Sequence, residues 1–114
     1  MTYEEALALV KTEFRTRRDA AHCELIYTGL TYDGCQGFCV CLYNYGDRVC
    51  LTDIGETKEI FDEVTKEEWI ALCEENGCVF NHWRLEHKLE SIEDVYAYIQ
   101  FLDMVSDKFF NLDD

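Results

Sequence analysis

The loop Tyr45-Gly46-Asp47-Arg48 constrains the fold more than any other stretch, because it fixes the register of the strands around it. A two-residue loop with glycine first supplies the positive φ that a type II′ hairpin demands. Strands are expected over about 37–45 and 48–54, with Tyr45 opposite Arg48, Tyr43 opposite Cys50, Cys41 opposite Thr52 and Cys39 opposite Ile54. The alternate positions then pair Asn44 with Val49, Leu42 with Leu51 and Val40 with Asp53. Side chains alternate between faces. One face therefore carries Phe38, Val40, Leu42, Val49 and Leu51, an expected core. The other carries Cys39, Cys41 and Cys50 beside Tyr43, Tyr45, Thr52 and Ile54.

Helical patterns flank this hairpin. Thr2 and Glu5 form a capping-box pair, and Tyr3, Leu7, Val10 and Phe14 share one stripe, so a helix is expected over 2–20. Arg15, Arg17 and Arg18 would then sit where positive charge favours the helix dipole, with an anion site as the sharper alternative. A strand is expected over 23–28. Thr65 and Glu68 repeat the capping box, Val64 and Trp69 suit a hydrophobic staple, and Gly77 suits the left-handed position after a helix ending near Asn76. Trp69, Leu72 and Cys73 form that helix's apolar stripe. Residues 78–89 read as a short ribbon turning near Asn81-His82.

A last helix is expected from Ser91 to about Phe110. Ile92, Val95, Tyr98, Ile99, Phe101, Leu102, Val105, Phe109 and Phe110 cover roughly 180° of it, against the ~100° that seats a surface helix. Tyr98 and Phe101 lie toward one edge of that arc. The surplus predicts a homodimer through this helix, with Glu93, Gln100, Asp103 and Asp107 facing away.

Length and composition place this pattern in one α+β domain over 1–114, a small antiparallel sheet packed on one face by about three helices. The 24 acidic and 10 basic residues give a net charge of −14, and residues 51–114 hold 17 of the acids. That sign argues against direct nucleic-acid binding and favours a positively charged partner. The chain has no run of ~18 apolar residues, so no membrane span is expected. The acidic N-terminal stretch reads as mature sequence and not as a signal peptide. Seven cysteines cannot all pair, which favours reduced thiols in a cytoplasmic, bacterial, archaeal or phage setting.

Candidate chemistry is sparse. Zinc needs thiolates within about 4.6 Å of one another, twice the Zn–S bond, whereas same-strand neighbours two apart start near ~6.6 Å. Cys39, Cys41 and Cys50 are therefore expected to pack, with Cys35 a fourth thiol in the preceding loop. No metal, cofactor or catalytic residue is assigned. His82 and His87 would fall on opposite faces of an unbroken strand, which argues against a shared metal. In Leu51-Thr52-Asp53-Ile54-Gly55-Glu56-Thr57, Asp53 and Glu56 are a carboxylate pair on paper; structurally, Asp53 and Thr57 suit loop and helix-end amides.

That turn, the segment GCVFNHWRLEHKL and the terminal SIEDVYAYIQFLDMVSD together resemble the prokaryotic and phage domain-of-unknown-function family numbered 1828, over about residues 20–110. The resemblance implies an α+β fold and microbial origin, and it brings no activity. The expected function is a non-enzymatic protein-binding module in phage–host or defence biology. The alternative is an acidic nucleic-acid mimic that inhibits a DNA- or RNA-binding protein or nuclease. The expected partner-binding residues are Glu67, Glu68, Glu74, Glu75, Tyr98 and Phe101.

Overall fold

The computed structural model describes residues 1–29, 31–32, 36–37 and 39–110; Cys35 and Phe38 lie outside them. Helix α1 spans Tyr3–Lys11 and opens on the expected capping box, with Glu5 N–H donating to Thr2 Oγ1 and Thr2 N–H to Glu5 Oε1, both at 3.1 Å. It is shorter than its apolar stripe predicts. The Thr12 hydroxyl donates to the Leu9 carbonyl at 2.6 Å, Phe14 N–H closes onto Val10 at 2.9 Å, and the chain leaves as strand β1, Arg15–Ala20. The expected helix over 15–20 is thus a strand. Its backbone pairs with β2, Cys23–Tyr27, from Arg15↔Tyr27 to Ala20↔Cys23, and so gains from a neighbour in space what a lone helix turn would supply locally. Arg15, Arg17 and Arg18 do not cap a helix.

Strands β3 (Thr31–Tyr32) and β4 (Gln36–Gly37) pair with each other. The hairpin follows as β5, Val40–Asn44, and β6, Val49–Thr52, in the predicted register for Cys41↔Thr52, Leu42↔Leu51, Tyr43↔Cys50 and Asn44↔Val49. β6 ends sooner than expected, at Thr52, and Ile54 turns away at φ +50°, so the ladder does not extend to Val40–Asp53 and Cys39–Ile54. Gly46 takes φ +95°, and Tyr45 N–H closes the loop onto the Arg48 carbonyl at 2.9 Å. Helix α2 covers Glu56–Ile60 and α3 covers Lys66–Glu75, the latter with the predicted Thr65–Glu68 capping box. Strands β7, Val79–Asn81, and β8, Arg84–Lys88, form the expected ribbon, and helix α4 runs from Ile92 to Phe110.

The result is α+β: one six-stranded antiparallel sheet, ordered β1-β2-β5-β6-β8-β7, with helices supplying the core on one side. The sheet is larger than the hairpin from which it was anticipated. Ile26, Val40, Leu42, Leu51 and Leu85 point into that core, where they meet Ala6 and Val10 of α1, Trp69, Leu72 and Cys73 of α3, and Val95, Leu102 and Val105 of α4. Tyr98 and Phe101 belong there too, 0% and 4% exposed, and the Tyr98 hydroxyl donates to the Leu85 carbonyl at 2.5 Å. They are therefore not partner-binding residues. The wide apolar arc of α4 is used within the chain, since the helix packs on the sheet while its end sets Phe109 against Phe61 and Trp69, at 5.5 and 5.4 Å between ring centroids. No helix among the described residues is long and apolar enough to cross a membrane.

Candidate functional site

The side of the sheet away from the helices is built from the alternate residues of the same strands, and none of its buried members joins the hydrophobic core cluster. Register places Cys23 beside Tyr43, Tyr43 beside Cys50, and the row Cys41, Thr52, Glu86 and Val79 across four strands. The centre holds a carboxylate. Glu86 is 3% exposed, and it accepts from the Tyr45 hydroxyl and, at 3.1 Å, from Asn81 Nδ2. Burial, then the adjoining Glu86, hold the Tyr45 phenol above its ordinary range. The Tyr43 and Tyr45 rings lie 4.7 Å apart, with the Arg84 guanidinium 5.4 Å from the first ring's centroid and Arg48 4.3 Å from the second's. A cleft of about 390 Å³ opens beside them, lined by Arg48, Cys50, Val79, Asn81, Glu86 and Lys88. Arg15, Arg17, Arg48, Arg84 and Lys88 share this side, half of the chain's basic residues; Glu86 and, near Cys23, Asp19 oppose them, and at the rim Arg48 pairs with Asp47 at 3.6 Å and Lys88 with Glu90 at 3.5 Å.

The thiols gather on both sides. Cys39 Sγ and Cys41 Sγ are 4.0 Å apart, closer than strand spacing alone predicts, because Cys39 precedes the regular strand and its thiol leans toward its neighbour. The spacing argument against metal therefore fails for that pair. Among the described residues no group of three or more His, Cys, Asp or Glu side chains is arranged to hold a metal ion. Burial raises the Cys23 and Cys50 thiols, and the contact with Cys39, then burial, lifts Cys41 far above the ordinary thiol range. In the core, burial pushes Cys73 and Cys78 up to about 12. A thiol held neutral is a poor nucleophile.

Asp53, fully buried, directly follows β6 and ties three segments together. Its Oδ1 accepts from Gly55 N–H and Leu85 N–H, each at 3.0 Å, and its Oδ2 from Thr57 N–H at 3.1 Å. Both oxygens are used by the backbone, which is the structural role that the turn motif suggested. His82 sits in the β7–β8 turn and His87 on β8 opposite Leu51, so the strand between them is broken.

The predicted partner-binding acids lie on the helical layer. Glu67, Glu68, Glu74 and Glu75 are all exposed on α3, opposite buried Trp69, Leu72 and Cys73, and Glu93, Asp103 and Asp107 line the outside of α4. Four of the six predicted partner-binding residues thus share one solvent-facing side of one helix. Sequence reasoning missed Glu86 and its network. The alternation Arg84, Glu86, Lys88 carried a signal for it, since a charged period of two marks one face of a strand. Comparison of the chain with protein-family models, curated proteins and solved structures finds no match.

Proposed function

We propose that the protein is a non-enzymatic protein-binding module that offers the acidic outside of its helical layer to a basic partner. The observation that supports this reading is the exposure of Glu67, Glu68, Glu74 and Glu75 together on one side of α3. The elevated thiols and the fully engaged Asp53 favour binding over catalysis. The proposal keeps the cytoplasmic, prokaryotic or phage setting and the family that the sequence resembles. Partners captured from the source cell and identified by mass spectrometry provide the material for its test. Reversing the four glutamates should weaken capture at least ~tenfold, about 1.4 kcal/mol. Added salt should weaken it likewise, because exposed charges are screened over about 8 Å. A partner indifferent to both changes overturns the reading.

A narrower form, an acidic mimic of nucleic acid, draws on the acids that line the outside of both α3 and α4. Duplex DNA presents one charge per ~1.7 Å, so a mimic needs its acids collected on one side. Displacement of the captured partner by an oligonucleotide favours this form, and a partner that binds both at once excludes it.

A further inference from the structure

The two edges of the sheet differ. β7 is three residues long and packs beside α3, while β1 is six residues long and, among the described residues, has β2 as its one strand neighbour. An edge strand carries a row of backbone N–H and C=O groups on its outer side, ready to pair with another chain. Every β1 residue except half-buried Thr16 is exposed. The regular ladder holds from Arg15 to Arg18 and breaks between Arg18 and Ala20, so the usable platform is about four residues long.

The chemistry of that platform opposes the rest of the chain. Three of the five arginines in a protein of net charge −14 fall at 15, 17 and 18. Register puts Arg15 and Arg17 on the helix-free side and Arg18 on the other, so a strand laid along β1 meets guanidinium groups on both of its faces. Among the described residues none of the three takes part in an ion pair. Glu24, opposite Arg18, is buried and accepts from the Thr16 hydroxyl at 2.8 Å. Lysine is the side chain most used to blunt an edge. Arginine instead presents a planar fork that pairs two-pronged with a carboxylate.

We propose that the outer edge of β1 is a docking site for an extended acidic segment of another protein, which adds as a seventh strand and pairs its carboxylates with Arg15, Arg17 and Arg18. Main-chain hydrogen bonds supply affinity in this mode and side chains supply selectivity. The arginines also select against a second copy of this edge, since like charges opposite one another repel. The site is separate from the acidic face of α3 and opposite to it in charge.

The test uses the full chain and a ten-residue peptide alternating glutamate and threonine, followed by amide NMR. Three comparison probes are the lysine–threonine analogue, a version with proline replacing alternate threonines, and an oligothymidylate. The acidic peptide should shift amides of 15–20. Arg17→Glu with Arg18→Glu should weaken it at least ~tenfold, and Arg17→Lys with Arg18→Lys should weaken it less, which separates loss of the fork from loss of charge. Unchanged amide dispersion elsewhere certifies that each variant is folded. The proposal is overturned if the proline peptide binds as well as its parent, if oligothymidylate binds the same amides more tightly, if β1 pairs with a second copy instead, or if the acidic peptide shifts no β1 amide at millimolar concentration.

Discussion

The two sides of the sheet bury their centres by different means. Toward the helices, Val40, Leu42, Leu51 and Leu85 are 0% exposed and meet apolar side chains from α1, α3 and α4. On the other side, Cys41 and Thr52 are as deeply covered, yet their surroundings are tyrosines, arginines and a hydrogen-bonded carboxylate. One side excludes water with packed hydrocarbon, whose worth scales with area. The other uses long amphipathic side chains that cover the strands with their stems and keep polar ends toward water. The first is a surface for stability; the second leaves charge available at its rim.

Neighbouring residues of β6 make that contrast measurable. Leu51 and Thr52 are both 0% exposed and point to opposite sides. Leu51→Ala should cost about 2–5 kcal/mol, since it removes apolar contacts and leaves a cavity. Thr52→Ala removes one methyl and the hydroxyl that accepts from Ile54 N–H at 3.1 Å, and should cost about 1 kcal/mol. Chemical denaturation of both variants checks the pair. Equal losses would mean that the two sides are packed alike.

The Glu86 network should show an intermediate effect. Glu86→Ala leaves the Tyr45 hydroxyl and the Asn81 amide without their acceptor, and should cost about 1–2 kcal/mol. The same network predicts an alkaline limit. Folding raises the Tyr45 pKa above its ordinary 10.0. Below pH 10 both folded and unfolded chains hold the phenol proton, and this contribution to stability is present in full. As pH rises beyond 10 the unfolded chain releases its proton first, so the contribution is lost as pH climbs through the folded value. Tyr45→Phe should flatten that part of the stability–pH curve; an unchanged slope would remove Tyr45 as its cause.

Much of the helix-facing side was legible in the sequence, because its signals are local. The Gly46 loop set the β5–β6 register, and Thr2–Glu5 and Thr65–Glu68 marked two helix starts. Strand β1 was not legible. The stripe Tyr3, Leu7, Val10 and Phe14 runs past Lys11 without a breaker, and what makes 15–20 a strand is pairing with Leu25 and Ile26, which no local period records. Tyr98 and Phe101 failed for a related reason. A wide apolar arc reports how much of a helix is covered and says nothing of what covers it; here the cover comes from the same chain. Four of the candidate partner residues were legible as exposed acids; the charged alternation at 84, 86 and 88 marked one strand face, but the Glu86 network on it was not legible, since its partners are 5 and 41 residues away in sequence.

The smallest expected effect concerns the hairpin that serves both sides, sending Phe80 to stack near Trp69 and Asn81 to Glu86. Its two turn residues are His82 at φ +49° and Trp83 at φ +66°, both in the left-handed region. Such a turn favours asparagine followed by glycine, so each of these side chains holds backbone strain. They are not equivalent. Both are exposed, but Trp83 sets its ring edge-on to Phe80 at 5.5 Å and lies under the Lys58 ammonium at 4.9 Å. His82→Asn should therefore stabilise the chain by about 0.5 kcal/mol, because asparagine tolerates the left-handed conformation and little contact is lost. Trp83→Gly relieves more strain but gives up a ring contact worth about 0.5–1.5 kcal/mol and the cation contact as well, so its net change should be near zero or destabilising. Thermal melts of the two variants separate the terms. If Trp83→Gly proves the more stabilising of the two, the ring contributes little to the fold, and the strain at Trp83 is held for a surface role and not for packing.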